Sequence, residues 1–147
     1  MNWQWSSFEE LKLNELYDIL ALRQQIFILE QNCIYADLDY LDQPAQHLLG
    51  RDNNQLVAYS RLLPLGIPYK GAISFGRVLV AKEARGRNIG KNMIHEVFSY
   101  LKKQNNAHPI IISAQLYLKT FYESFGFIAE GESYDEDGIP HIKMTKK

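Results

Sequence analysis

Residues 73–93, ISFGRVLVAKEARGRNIGKNM, constrain the fold of this chain more than any other stretch. An apolar run of strand type from Ser74 to Val80 leads into a glycine-bearing basic turn. An amphipathic helical pattern follows over 91–104, with Met93, Ile94, Val97, Phe98 and Leu101 on one side. A strand that feeds a turn and a helix in this way leaves open backbone N–H groups at the helix start, where the macrodipole also favours negative charge. Such a turn suits a phosphate. Arg85, Arg87 and Lys91 crowd the same end, where the dipole disfavours each cation by ~0.3–1 kcal/mol unless an anion reverses the sign.

Spacing separates this turn from the commoner nucleotide motifs. A P-loop has four residues between its glycines and a Lys followed by Ser or Thr. Here Gly86 and Gly90 are separated by three residues, and Lys91 is followed by Asn92. A dinucleotide fingerprint needs a glycine where Asn88 stands. Asparagine is among the few non-glycine residues that tolerate a left-handed backbone, so the turn can keep its shape with Asn88 in it.

The remaining composition narrows the setting. At 147 residues the chain makes one ordinary domain, 1–147, and a formal net charge of −1 gives no case for nucleic acid as a partner. Cys33 is the only cysteine, which rules out an intramolecular disulfide and reads as a packed thiol. His47, His95, His108 and His141 match no metal-ligand spacing, so no metal is expected. The segment MNWQWSSFEE lacks a signal-peptide pattern and no apolar run reaches the ~20 residues of a membrane span, so the expected location is cytoplasmic, without a membrane partner.

Along the chain, Trp3 and Trp5 alternate with polar neighbours as in a strand, and Ser7 with Glu10 makes a capping pair. Leu13, Leu16, Tyr17, Leu20, Gln24, Phe27 and Ile28 recur at three- and four-residue intervals, predicting a helix over 14–29 with that face buried. The acidic, aromatic run YADLDYLDQP reads as a loop over a surface or cleft. A hairpin over 47–50 and 56–63, a strand over 110–113, a short helix over 117–125 and a strand pair over 127–131 and 141–145 around a YDEDGIP loop complete the order. Crossovers mixed with hairpins predict an α/β domain with a mixed sheet and helices on both faces.

The run VLVAKEARGRNIGKNMI resembles the acetyl-CoA-binding motif of the GCN5-related N-acetyltransferase (GNAT) superfamily: Gln or Arg, two residues, Gly, one residue, Gly or Ala. Arg85 fills the first position and Gly90 the last, with Asn88 in place of the inner glycine. Further on, SAQLYLKTFYESFGF resembles the family segment in which a tyrosine-bearing helix ends before a Gly-Phe pair, here Tyr122, Gly126 and Phe127. FILEQNCIYADLD and YDEDGIPHIKM resemble the ElaA-like branch.

The resemblance implies a single GNAT-type domain whose mixed, largely antiparallel central sheet is splayed in the middle. It implies that Val78, Leu79 and Val80 meet the pantetheine arm and acetyl group of acetyl-CoA. Arg85, Gly86, Arg87, Asn88, Ile89, Gly90 and Lys91 would hold the pyrophosphate, and Gln115 stands where many relatives carry a cofactor-contacting asparagine. Acetyl then passes directly to an amine acceptor, small molecule or protein, with Tyr122 as general acid. Glu30, Asp37, His47 and His141 compete for the base or for acceptor recognition, with Glu30 and His141 favoured because both lie in ElaA-like segments. An acyl-CoA-binding regulatory or interaction domain without catalysis is the alternative, and a homodimer is left open.

Overall fold

The strand, turn and helix at the centre of the chain fold as the sequence pattern predicts, in a computed structural model that describes all of Met1–Lys147. Strand β4 is Ser74–Val80, preceded by β1 (Asn2–Ser7), helix α1 (Leu13–Arg23, continued by π-helical turns over Gln24–Glu30), β2 (Gln46–Asp52) and β3 (Gln55–Leu63). It is followed by α2 (Ile89–Lys103), β5 (Ile110–Gln115), the short α3 (Lys119–Glu123), β6 (Ile128–Glu136) and β7 (Ile139–Lys146). The capping pair forms: Ser7 N–H donates to Glu10 Oε1 at 3.0 Å, and Glu10 N–H to Ser7 Oγ at 3.3 Å.

Two antiparallel sheets result, β1-β2-β3-β4 and β5-β7-β6. They meet through a single parallel bridge between Ile73 and Ile110, where Ile73 N–H donates to Pro109 O and Ile111 N–H to Ile73 O, each at 2.9 Å. Beyond that bridge β4 and β5 run on without pairing, each with its other edge bonded to β3 or β7. Backbone groups on the facing edges are thus left for something other than the sheet to satisfy.

The main core lies between the sheets and the helices α2 and α3. Met93, Ile94, Val97 and Leu101 of α2 pack there with Ile112, Ala114, Tyr122, Phe127, Ile142 and Met144. Across the first sheet, Ile19, Ile26 and Phe27 of the α1 region pack on Leu49, Tyr59 and Leu79. Along β2 neighbouring apolar residues divide between the two layers, Leu48 in the main core and Leu49 on the α1 side, as the two-residue period of a strand demands.

Three expectations are corrected. The buried face of α1 is Ile19, Arg23, Ile26 and Phe27, while Leu13 and Tyr17 stand in solvent. The shift follows from Arg23, a fully enclosed cation that no hydropathy pattern counts as core. The YDEDGIP segment is mostly strand: β6 and β7 extend until the turn at Asp137 (φ 53) and Gly138 (φ 83) joins them. Finally, the acidic run after α1 is a loop, but its carboxylates are pinned. Arg23 donates to Asp37 Oδ2 at 2.9 Å and Asp42 Oδ1 at 2.8 Å, and Arg61 to Asp39 Oδ1 at 2.7 Å and Asp42 Oδ1 at 2.9 Å. Burial alone would raise Asp39, yet Arg61 with the Leu41 amide brings it down to about 2.

Candidate active site

The glycine-bearing basic turn follows β4 at the open end of the splay. After β4 the chain makes one 3₁₀ turn, Lys82–Ala84, then passes through Gly86 (φ 81) and Asn88 (φ 60) before α2 starts at Ile89. Asn88 therefore holds the left-handed conformation anticipated for it. Its side chain makes no cap, so the first-turn amides of α2 stay open, as a helix start able to take an anion requires. A methyl group built on Gly90 would sit 3.8 Å from Val80 Cγ2 and 4.0 Å from Phe121 Cζ, ordinary contact distances that fit a Gly-or-Ala position.

Two of the three cations of the turn are paired within the chain. Arg85 Nη2 donates to Glu30 Oε2 at 2.7 Å while its Nε donates to the Val80 carbonyl at 3.0 Å. Arg87 Nη1 donates to Asp52 Oδ2 at 2.9 Å, and Lys91 is exposed. The next residue after Glu30 reaches the other side of the splay: Gln31 and Gln115 exchange side-chain hydrogen bonds of 3.4 and 3.5 Å. Gln31 carried no sequence signal, since its role depends on the π-helical turns that bring it to the mouth.

Along β4, Val78 and Val80 pack against the main core and Leu79 is buried on the α1 side. Tyr122 lies in the main core with its ring against Phe75, Phe121 and Phe127 at centroid separations of 6.4, 5.1 and 5.9 Å. Burial pushes its phenol well above the ordinary tyrosine value, with Tyr117 adding to the shift, so it stays protonated.

His141 is on β7, directly beside Gln115 of β5 and Tyr134 of β6. Its Nδ1 is 2.7 Å from the Ile139 carbonyl and must donate to it, which leaves Nε2 as the nitrogen able to take a proton. Glu136 Oε2 is 3.2 Å from that Nε2. Tyr134 stacks on the imidazole at 6.3 Å, and its hydroxyl bonds Ser113 Oγ. Glu136, Tyr134 and Ser113 carry no sequence signal for the site, since YDEDGIP reads as a loop and 110–113 as plain strand.

The other two acceptor candidates lie elsewhere. His47 is fully enclosed: one ring nitrogen is 2.6 Å from the Tyr59 hydroxyl and the other 2.8 Å from the Asp42 carbonyl, and burial pulls its imidazole below the ordinary value. It is a core histidine, out of reach of an acceptor. The Asp37 carboxylate is taken up by Arg23, Arg77 and the Tyr35 hydroxyl. A cavity of about 450 Å³ lies at the opposite end, between Leu62, Ile73 and the end of α2 at Tyr100 and Leu101, and none of the candidate site residues lines it.

Comparison with known proteins defines the class to which this cleft belongs, that of acyl-CoA-dependent acyltransferases. The profile of the acetyltransferase (GNAT) domain matches residues 23–147, and the crystal structure of an acyl-CoA N-acyltransferase from Pseudomonas aeruginosa superposes with a TM-score of 0.92 at 35% identity, covering 100% of both chains. More narrowly, the chain belongs to the ElaA-like branch of the GNAT family. It is 38% identical to protein ElaA of Escherichia coli over 100% of this chain and 97% of ElaA. It is also 41% identical to a UPF0039 protein of Synechocystis over 98% of this chain and 94% of the relative. No helix is long and apolar enough to cross a membrane.

Proposed function

We propose that the protein is an N-acetyltransferase that passes the acetyl group of acetyl-CoA directly to an amine. The observation that carries this reading is the unpaired stretch between β4 and β5 beyond the Ile73–Ile110 bridge, with the open amides before α2 at its end. A pantetheine arm carries amides and would satisfy the strand edges as an added strand does, while the pyrophosphate meets the turn from Arg85 to Lys91.

In the reaction the amine nitrogen attacks the thioester carbon, the C–S bond breaks, and a backbone N–H of the Val78–Val80 stretch steadies the oxyanion. The departing sulfur takes a proton from the Tyr122 hydroxyl, and the amine gives one up to His141 Nε2, whose imidazolium then faces Glu136. The thiolate of a thiol of pKa ~8.5 is a weaker base than an ordinary phenolate of ~10, and burial raises the Tyr122 phenol further, so Tyr122 donates uphill and its placement at the sulfur must compensate. Glu30, held by Arg85 until the donor arrives, is the acceptor-side carboxylate of this scheme. The scheme operates in the cytoplasm.

Acetyl-CoA with a panel of peptides, polyamines, amino acids and aminoglycosides tests it. Release of free thiol dependent on an amine is expected; acetyl-CoA binding without turnover on any amine would leave a non-catalytic acyl-CoA-binding domain instead.

A further inference from the structure

Phe75 and Leu79 are four residues apart on β4, an even spacing that puts both on the same face of a regular strand. Phe75 nevertheless packs in the main core beside Tyr122, and Leu79 on the α1 side with Ile19 and Phe27. The strand reverses at a bulge: Tyr59 faces Leu79 and Arg61 faces Gly76, so two steps on β3 are matched by three on β4. Arg77 sits in the extra step at φ 50, a conformation that glycine adopts freely and arginine does not.

An arginine kept in that conformation has a side chain with a task. Its Nε is 2.7 Å from Asp37 Oδ1, an ion pair whose N–H points aside from the oxygen. Its Nη2 donates to the Asp37 carbonyl at 3.0 Å and to Asp39 Oδ2 at 3.3 Å, and the guanidinium lies 5.6 Å over the Tyr35 ring. Both carboxylates are themselves fixed by the buried Arg23 and Arg61.

We propose that Arg77 is a positioning residue for acyl transfer: its tether to Asp37 and Asp39 holds the bulge that turns the Val78–Val80 backbone toward the splay. One inserted residue reverses the alternation of a strand, so the tether decides which amides reach the open edge where a thioester carbonyl would lie. The proposal rests on acyl-CoA entering between β4 and β5.

Arg77→Gly tests it, because glycine accepts φ 50 and only the tether is lost. Acetyl-CoA affinity by calorimetry should stay within ~3-fold while kcat for acetyl transfer falls ~10- to 100-fold, the scale of a misplaced reacting group. Millimolar guanidinium should restore part of the lost kcat in this variant and leave the wild-type protein unchanged. Wild-type kcat in Arg77→Gly would overturn the proposal, since strand pairing alone would then hold the bulge. If that variant does not fold, Asp39→Asn takes its place: reduced kcat at unchanged acetyl-CoA affinity supports the tether, and unchanged kcat overturns it. Absence of acetyl-CoA binding by the wild-type protein would overturn the acyl-transfer reading and this proposal with it.

Discussion

Glu30 and Arg85, 55 positions apart, meet in a 2.7 Å ion pair at the open end of the splay between β4 and β5. The arginine that a pyrophosphate would claim is thus already neutralised by a carboxylate. On the proposed mode of donor binding, an anionic donor would compete with Glu30 for it and would free Glu30 as it settles. Glu30→Gln is therefore expected to bind acetyl-CoA ~2- to 5-fold more tightly, the range of a half-exposed ion pair. Arg85→Ala should bind it more weakly, with the larger loss at low salt. Calorimetric titrations at two ionic strengths read both effects. Weaker binding by Glu30→Gln would show that Glu30 supports the donor rather than competing with it.

Tyr122→Phe keeps the ring that packs on Phe75, Phe121 and Phe127 and removes only the hydroxyl. The expected result is a fall in kcat of ~10²-fold or more at nearly constant acetyl-CoA affinity, the signature of a lost proton donor. Burial holds the phenol protonated above the ordinary tyrosine range. The wild-type kcat should accordingly show no basic limb near pH ~10 from this group. Equal kcat in the variant would remove Tyr122 as the acid.

His47 predicts an acid weakness of the fold. Burial pulls its imidazole below the ordinary value. The unfolded chain therefore binds more protons than the folded one, and stability rises with pH across that interval. The contribution is complete above pH ~6.5 and is lost as pH falls from there through the lowered folded value. Urea midpoints of the wild-type protein should drop between pH ~7 and ~5. His47→Gln should be less stable at neutral pH and show a flatter decline. An equally steep decline in both would assign the acid sensitivity to other groups.

The turn before α2 sorts its residues by backbone shape. Asn88→Gly should leave stability nearly unchanged, whereas Asn88→Ala should lose ~1 kcal/mol because alanine resists the left-handed conformation. Gly90→Ala should fold and bind acetyl-CoA normally, given the ordinary contacts its methyl would meet. Gly86→Ala, at φ 81, should cost stability despite the open space around it. Thermal unfolding with and without acetyl-CoA distinguishes damage to the fold from damage to the turn.

The parts of this structure that could be read from the sequence are those where chemistry and periodicity agree. Segment 73–104 has the strand, the turn and the apolar face of α2 written in residue spacing, and the αL tolerance of Asn88 is a property of the residue itself. What was hidden depended on partners distant in sequence. Arg23 is buried because Asp37 and Asp42 lie 14 and 19 residues further on, and its charge disguised the inner face of α1. The bulge at Arg77 was equally silent, since nothing marks an arginine as a residue of positive φ until its carboxylates are in place. His47 and His141 look alike as sequence; one is enclosed by Tyr59 and Asp42, the other stands beside Gln115 and Glu136.

The π-helical turns over Gln24–Glu30 carry a further consequence. An α-helix advances about 100° per residue, and a π-helical turn holds about one residue more, so side chains beyond it lie about one residue's rotation away from where a continuous α-helix of the same sequence would put them. In this chain the rotation sends Glu30 to one lip of the cleft and Gln31 to the other. Were the same residues wound as regular α-helix, Glu30 and Gln31 would point the wrong way. The wide winding between Arg23 and Gln31 is therefore as much a part of the site as the side chains it aims.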